Sequence, residues 1–258
     1  MSHPALRLAS RLAVLLSVVA CLIAGLGALG RLASPGPGEE ERLQSASQHQ
    51  SSGIRRLFAK AGVAYPPEAI ALRAFKEERV LELWARASGE LRYALVAQYP
   101  ICALSGGPGP KRRDGDGQVP EGFYFVDELN PVSRYHLSLR LDYPNAADRV
   151  LGDARAPGGD IFIHGDCVSS GCIAITDPAV EQLYLIALAA RSRAREPIPV
   201  HIFPARLTDA ALRRLGETHP IQRAFWANLK QGYDSFEERS IPPVVQIDPA
   251  TGRYLFSE

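Results

Sequence analysis

The 258-residue sequence has almost no net charge, because 29 basic residues stand against 28 acidic ones and the formal charge is +1. A protein that binds nucleic acid usually carries a cluster of basic residues, so no nucleic-acid partner is predicted. The sequence also contains no internal repeat. Apolar residues make up 46 % of the chain, which argues against a disordered protein and allows a sizeable core.

Charged residues are missing from residues 12–30, which are preceded by two arginines and followed by a third. A helix of this length spans roughly 28 Å, about the thickness of the hydrocarbon core of a membrane. Basic residues in front of such a segment favour export of the chain that follows it. We therefore predict that residues 1–31 form a signal peptide or an uncleaved membrane anchor, with lipidation of Cys21 as a further alternative. The rest of the protein is then expected in the periplasm or another extracytoplasmic location.

Large apolar side chains are scarce in residues 34–53, which contain a single leucine. A polar segment of this kind is typical of a flexible tether, because it has too little apolar surface to form a core. Residues 32–53 are therefore predicted to be a linker, and residues 54–258 the folded domain.

Short apolar and alternating segments fill the predicted domain and outnumber its helical segments, which indicates one β-rich α+β domain. Residues 69–86 alternate around a charged tip and predict a β-hairpin. Residues 134–143 predict a further strand. Asp177, followed by Pro178, is predicted to be the N-cap of a buried helix.

The stretch IFIHGDCVSSGCIAITD, residues 161–177, contains one histidine and two cysteines within nine residues. Three interpretations compete. The first is a partial metal site formed by His164, Cys167 and Cys172. The second is a nucleophile, Cys172, with His164 as its base. The third is that His164 and Cys172 are buried residues without a chemical role. A cysteine attacks as its thiolate, and a neighbouring histidine favours that form. Spacings of three and five residues and the lack of a second cysteine pair argue against zinc.

Two glycines accompany these residues and favour the nucleophile interpretation. Gly171, directly before Cys172, would let a substrate carbonyl approach the backbone closely. The amides of Gly171 and Cys172 are then candidates for an oxyanion hole. Gly165, directly after His164, leaves the imidazole accessible.

This stretch resembles the active-site segment of the L,D-transpeptidase (YkuD-type) catalytic domain family, in its YafK-like murein transpeptidase/amidase branch. His164-Gly165, the later run Ser169-Ser170-Gly171-Cys172-Ile173 and upstream residues 100–149 carry the resemblance. The resemblance implies a β-rich, partly barrel-like domain that acts on peptidoglycan stem peptides, with wall-linked lipoprotein as a further partner and without a metal or organic cofactor. Typical members place a histidine directly before Gly-Cys, where this sequence has Ser170.

By this resemblance Cys172 is the nucleophile, His164 is the general base, and the backbone near Gly165 orients the imidazole. The implied reaction is acyl transfer through a Cys172 thioester. A hydrolase of the same fold, which releases wall-linked lipoprotein or acts as an L,D-carboxypeptidase, is the first alternative. A non-catalytic wall-binding module is the second.

Five further residues are candidates for substrate binding. Arg134 and His136 share one face of the predicted strand, where Arg134 is suited to a stem-peptide carboxylate, although an ordinary solvated face explains them equally well. Tyr143 and Asn145 lie in a stretch that matches the branch and are candidates for a substrate loop, with a plain turn as the alternative. Ser170 completes the set, beside Gly171.

Cys21 lies in the apolar segment, so three of the four cysteines would reach an oxidising compartment. Three is an odd number, which leaves either one free thiol or no pair. We hypothesise that Cys102 and Cys167 pair and leave Cys172 free. The alternative is that Cys102 and Cys167 are both buried thiols.

Overall fold

The computed structural model describes residues 37–194 and 196–257. In these residues eight strands close into a barrel, accompanied by a separate two-stranded hairpin and by helices. The predicted β-rich α+β fold with a partly barrel-like sheet is confirmed.

The bounds of the elements follow the chain. The barrel strands are β1 Ala69–Phe75, β2 Val80–Arg86, β3 Ala94–Leu104, β4 Gly122–Asn130, β5 Ser138–Leu141, β6 Phe162–His164, β7 Ile173–Ile175 and β8 Ile198–Phe203. The hairpin strands are β9 Val244–Ile247 and β10 Tyr254–Ser257. The α-helices are α1 Pro37–Ala61, α2 Ala146–Leu151, α3 Asp177–Ala194, α4 Asp209–Thr218 and α5 Arg223–Arg239, with a 3-10 turn at Pro220–Gln222.

The order of strands around the barrel is β1-β2-β3-β7-β6-β5-β4-β8, and β8 closes onto β1. The β6–β7 and β8–β1 pairs are parallel, whereas the other neighbours are antiparallel. A parallel connection must return the chain to the end of the sheet where the first strand began. Because β6 and β7 are only three residues long, residues 165–172 suffice for that return.

Alternation along the strands divides their side chains between two cores. On β8, Val200 and Ile202 enter a core that they share with residues of α1 and α3, whereas Phe203 enters a second core beneath α5. Side chains alternate between the faces of a strand, so one strand serves both cores. The predicted hairpin over residues 69–86 is confirmed as β1 and β2, which pair in the register Phe75–Val80.

The segment predicted to be a flexible linker is helical from Pro37 onward, so that prediction is wrong for the described residues. Proline fits the first turn of a helix, and Glu39 and Glu40 lie near the positive end of its dipole. Ala46 is completely buried and Leu43 packs on the first core. A narrow apolar stripe therefore docks this helix, and the predicted domain boundary at residue 54 falls inside it.

The strand predicted over residues 134–143 is limited to β5, which begins at Ser138. Side-chain oxygens interrupt the extended backbone before that point: Asn130 accepts a bond from the Val132 amide and Ser133 accepts one from the Tyr135 amide. His136 then adopts a φ of +70°, which no strand residue has. Arg134 and His136 consequently lie in a turn, and the prediction that they share a strand face is wrong.

The buried helix predicted after residue 176 is confirmed as α3, but its cap differs. The amides of Ala179 and Val180 both bond the carbonyl of Thr176, which makes Thr176 the capping position. The Asp177 side chain instead accepts a bond from the Asp166 amide at 2.7 Å. That contact ties the start of α3 to the loop after β6.

Within the described part of the chain, no helix is both long enough and apolar enough to cross a membrane. The segment predicted to be a signal peptide or anchor, residues 1–31, lies outside the described residues.

Candidate active site

His164 and Cys172 open into one cavity because β6 and β7 run side by side in the same direction. Ile163 pairs with Ile173, so Cys172 lies across from Phe162. Phe162 and His164 are two residues apart on β6, and their side chains therefore point to the same face of the sheet. The cavity has a volume of about 460 Å³. Its lining consists of Tyr135, Asp160, Phe162, His164, Val168, Ser169, Ser170 and Cys172.

The imidazole of His164 is almost fully buried, with 1 % exposure, and one of its nitrogens is already committed. Nδ1 lies 2.5 Å from the carbonyl oxygen of Gly165. A carbonyl only accepts, so Nδ1 carries the proton and Nε2 has a free lone pair. Burial lowers the pKa of His164 below its ordinary 6.5, against the opposing effects of the Gly165 bond and Asp166. The ring is therefore neutral at pH 7 and able to accept a proton at Nε2.

The thiol of Cys172 is the free thiol among the described cysteines and is also protonated at rest. Burial raises its pKa above the ordinary 9.0, and Asp160 adds to the rise, whereas the Phe162 amide and Lys111 act in the opposite direction. The sulfur lies 3.7 Å from the carbonyl oxygen of Asp160, to which the S–H donates. The resting pair is accordingly a neutral thiol and a neutral imidazole.

The loop before Cys172 is shaped by Gly171, whose φ of +99° is strained for any residue with a side chain. Its amide donates to the Ser105 hydroxyl at 2.6 Å, and the Cys172 amide donates to the Ser169 hydroxyl at 3.1 Å. Both amides predicted to form an oxyanion hole are thus already bonded within the protein. A substrate oxygen would have to displace these two hydroxyls from the amides, so the oxyanion hole stays a prediction.

Gly165 has a packing reason to be glycine. A side chain there would place its Cβ 2.5 Å from the Asp177 carboxylate and 3.1 Å from the Tyr135 carbonyl. The predicted role of its backbone agrees with the geometry, since the Gly165 carbonyl holds Nδ1 of His164.

A disulfide joins Cys102 on β3 to Cys167 in the loop between β6 and β7. This pairing is the one hypothesised from the odd number of exported cysteines, and it leaves Cys172 free. It also removes Cys167 as a thiolate ligand, so the metal site that combined it with His164 and Cys172 loses a member.

The remaining predicted residues have different surroundings. Arg134 is exposed and places its guanidinium 5.8 Å from the ring centre of Tyr135, a residue that lines the cavity. His136 points away, because its Nε2 bonds Glu181 at 2.9 Å. Ser170 lines the cavity as predicted.

Tyr143 and Asn145 do not line the cavity of Cys172. The Tyr143 hydroxyl donates to the Pro157 carbonyl at 2.9 Å. Asn145 caps α2 by accepting the Asp148 amide, and its side-chain nitrogen donates to the Phe123 carbonyl. Their placement supports the alternative that these residues form an ordinary turn.

Sequence reasoning missed several residues of the site. Tyr135 stacks on the imidazole of His164 with ring centres 4.7 Å apart, Asp160 contacts the Cys172 thiol, and Ser105 bonds the Gly171 amide. Tyr135 lies between Arg134 and His136, two predicted substrate-binding residues. An aromatic side chain at that position was the feature of the sequence that could have indicated its role. No feature of the sequence could have indicated the role of Ser105, because it is 66 residues from its partner Gly171.

A family model of the L,D-transpeptidase catalytic domain, YkuD, matches residues 72–202. Two proteins named "Putative L,D-transpeptidase YafK", from Escherichia coli strain K12 and from Escherichia coli O157:H7, are each 41 % identical over 189 residues. These matches cover 72 % of this chain and 73 % of the relatives.

Solved structures resemble the chain more distantly. The helical cell shape determining protein Pgp2 from Campylobacter jejuni is 17 % identical, with a TM-score of 0.41 over 76 % of this chain and 80 % of Pgp2. Bd1075 of Bdellovibrio bacteriovorus is 18 % identical, with a TM-score of 0.40 over 72 % of this chain and 79 % of Bd1075. Assignment to a family therefore depends on the sequence matches. By those matches, the chain belongs to the L,D-transpeptidase catalytic domain family.

Proposed function

We propose that this protein is a cysteine-dependent acyltransferase that acts on peptidoglycan stem peptides. The observation that carries the proposal is the placement of His164 and Cys172 on one cavity, with Nδ1 of His164 committed to Gly165. Membership of the L,D-transpeptidase family supports the choice of substrate class.

In the first step Nε2 of His164 takes the thiol proton of Cys172 while the sulfur attacks the carbonyl carbon of an amide next to diaminopimelate. A neutral thiol and a neutral imidazole make this a concerted general-base step rather than attack by a preformed thiolate. The thiol leaves its resting contact with the Asp160 carbonyl and turns toward Nε2. A tetrahedral intermediate with a negatively charged oxygen results.

In the second step the intermediate collapses, and the carbon–nitrogen bond breaks. The leaving amine takes the proton held on Nε2 of His164, which restores the neutral imidazole and leaves a Cys172 thioester. An incoming amine then gives up a proton to Nε2 and attacks the thioester, the carbon–sulfur bond breaks, and the proton on Nε2 returns to the sulfur of Cys172. If water takes the place of the amine, the same sequence is a hydrolysis.

Ser170 is our candidate for stabilising the charged oxygen, because its exposed side chain lines the cavity beside the nucleophile. A hydroxyl donor aimed at the developing charge lowers the barrier. The family histidine normally found at this position is replaced by Ser170, and a hydroxyl preserves a donor there.

We infer an extracytoplasmic location. The Cys102–Cys167 disulfide supports this inference, because disulfides persist in oxidising compartments and are rare in the cytosol. The substrate of the family, the cell wall, lies outside the cytoplasm as well. Export would use residues 1–31 either as a cleaved signal peptide or as an uncleaved anchor. N-terminal sequencing of the mature protein distinguishes the two.

The testing experiment compares the full chain with its Cys172→Ala variant on purified peptidoglycan and on lipoprotein-linked peptidoglycan, with products identified by mass spectrometry. Loss of the nucleophile commonly costs several orders of magnitude in rate, so the variant should give no products. The full chain is used because a cut at residue 54 would pass through α1.

Each product identifies one reaction. New cross-links, or exchange of a terminal D-residue, identify a transferase. Shortened stems or released lipoprotein peptide identify the hydrolase alternative. Equal products from both proteins would exclude Cys172 as the catalyst and favour the wall-binding module.

A further inference from the structure

We propose that helix α1 positions the catalytic imidazole, and that Arg42 is the positioning residue. This inference rests on the role of His164 proposed above. It assigns a function to the segment for which the amino-acid composition indicated a mere tether. Arg42 holds the turn that contains Tyr135, Tyr135 contacts the imidazole, and a separate set of bonds supports the same turn.

The first contact joins α1 to the turn before β5. Nη1 of Arg42 donates to the carbonyl of Ser133 at 3.1 Å and to the carbonyl of His136 at 2.9 Å. One guanidinium nitrogen carries two hydrogens, so both bonds are satisfied at once. The two carbonyls bracket Tyr135, and Arg42 therefore fixes the backbone on both sides of that residue.

The same turn has a second attachment to α1. Nε2 of His136 bonds Oε1 of Glu181 on α3, and Oε2 of Glu181 accepts from Gln50 of α1 at 2.8 Å. His136 has a φ of +70°, a conformation that persists in a residue with a side chain only where surrounding contacts impose it. Arg42 and Glu181 supply such contacts from opposite ends of the residue.

The turn reaches the catalytic base through Tyr135. Its ring stacks on the imidazole of His164 with an interplanar angle of 28°. The bond from Nδ1 to the Gly165 carbonyl fixes one edge of the imidazole but allows the ring to tilt about that bond. A stacked aromatic ring restricts the tilt and keeps water from that face. Tyr135 therefore helps to fix the orientation of the imidazole in the cavity that Cys172 also lines.

Arg42 is exposed, so its replacement leaves the cores intact and changes chiefly this chain of contacts. Arg42→Ala frees the Ser133 and His136 carbonyls and lets Tyr135 drift from the imidazole. Misplacement of a catalytic group by about 1 Å can reduce rate by about 100-fold, so we expect kcat to fall about 10- to 100-fold. KM should change less than about twofold, because Arg42 does not touch the cavity.

The pH profile separates positioning from a general structural defect. Burial lowers the pKa of His164, and loss of the Tyr135 cover admits water and returns that pKa toward 6.5. The acid limb of kcat/KM should therefore move to higher pH in Arg42→Ala. Arg42→Lys, which keeps a cation with several hydrogens, should restore most of the turnover.

The experiment measures kcat, KM and the pH profile for the full-length wild type, Arg42→Ala, Arg42→Lys and Arg56→Ala, an exposed arginine of the same helix that serves as control. An NMR titration of the His164 ring gives a readout that needs no turnover. The control should match the wild type in every measurement.

Wild-type kcat in Arg42→Ala overturns the proposal. A lower kcat with an unchanged pKa of the His164 ring overturns it as well. If Cys172→Ala keeps its turnover, the proposed function fails, while the titration still decides the role of Arg42.

Discussion

The two sides of the cavity that His164 and Cys172 line are held in different ways. On the thiol side, the loop that ends at Cys172 is bound to β3 by the Cys102–Cys167 disulfide, and Ser105 bonds the Gly171 amide directly before Cys172. On the imidazole side, the His164 ring bonds the Gly165 carbonyl and stacks on Tyr135, whose turn accepts hydrogen bonds from the exposed Arg42 of α1. A covalent link restrains the loop of the proposed nucleophile, Cys172, whereas noncovalent contacts hold the proposed base, His164.

This difference makes the two sides sensitive to different conditions. A disulfide is lost when the protein is reduced and is unaffected by salt or by moderate changes of pH. Exposed charge-assisted bonds are weakened by salt and compete with water. Conditions that disturb one side should therefore leave the other in place, and variants of each side can be compared directly.

The largest effect should follow removal of the base itself. His164→Ala leaves Cys172 without a proton acceptor, and we expect turnover to fall by roughly 100- to 10,000-fold. In the proposed mechanism the neutral imidazole is the active form, so activity of the wild type should fall as pH decreases through the pKa of His164. Because burial lowers that pKa, the acid limb of kcat/KM should lie below pH 6.5, and the variant should lack it.

The control for this experiment is His49→Ala, an exposed histidine of α1 that should keep both the rate and the acid limb. Circular dichroism checks that both variants fold. If His164→Ala retains the same acid limb as the wild type, another group accepts the proton from Cys172.

Removal of the disulfide should have the next largest effect. Cys102→Ser with Cys167→Ser frees a loop that closes over 65 residues, and loss of such a bridge commonly lowers the free energy of unfolding by about 2–5 kcal/mol. We expect turnover to fall about tenfold as the thiol side loosens, a smaller loss than for His164→Ala.

Urea unfolding and kcat are measured for the wild type and the double variant, each with and without dithiothreitol. The reductant should reproduce the effect in the wild type and change nothing further in the double variant, whereas equal kcat for all four samples would show that the disulfide does not position Cys172.

Much of this cavity could be predicted from the sequence because its chemistry is local. His164 and Cys172 are eight residues apart, each beside a short apolar strand, and the loop between them is too short to separate them widely. The resemblance to a known family added the roles of both residues. The β1–β2 hairpin and the helix after the motif were predicted correctly for a similar reason, since apolar periodicity indicates burial within one element.

The errors have a common cause, which is dependence on contacts between distant elements. The composition of residues 34–53 indicated a tether, because the apolar stripe of α1 is narrow there and its polar residues find partners such as Glu181 on α3. The strand expected at Arg134 and His136 is interrupted by a turn that Arg42 holds from more than 90 residues away. The bond between the Gly171 amide and Ser105 was missed for the same reason, because Ser105 lies 66 residues before Gly171.

The smallest effect should follow loss of the Ser105 hydroxyl. This variant tests the thiol side of the cavity without breaking a covalent bond. Ser105→Ala removes the acceptor of the Gly171 amide, and a lost hydrogen bond of this kind costs about 1 kcal/mol of stability. We expect kcat to fall about two- to fivefold, since the disulfide still restrains the loop while the amide beside Cys172 becomes free to move. Ser105→Thr keeps a hydroxyl and serves as the matched control. A higher kcat in Ser105→Ala would mean that the released amide stabilises the charged oxygen, and the Gly171 amide would then replace Ser170 as the proposed oxyanion donor.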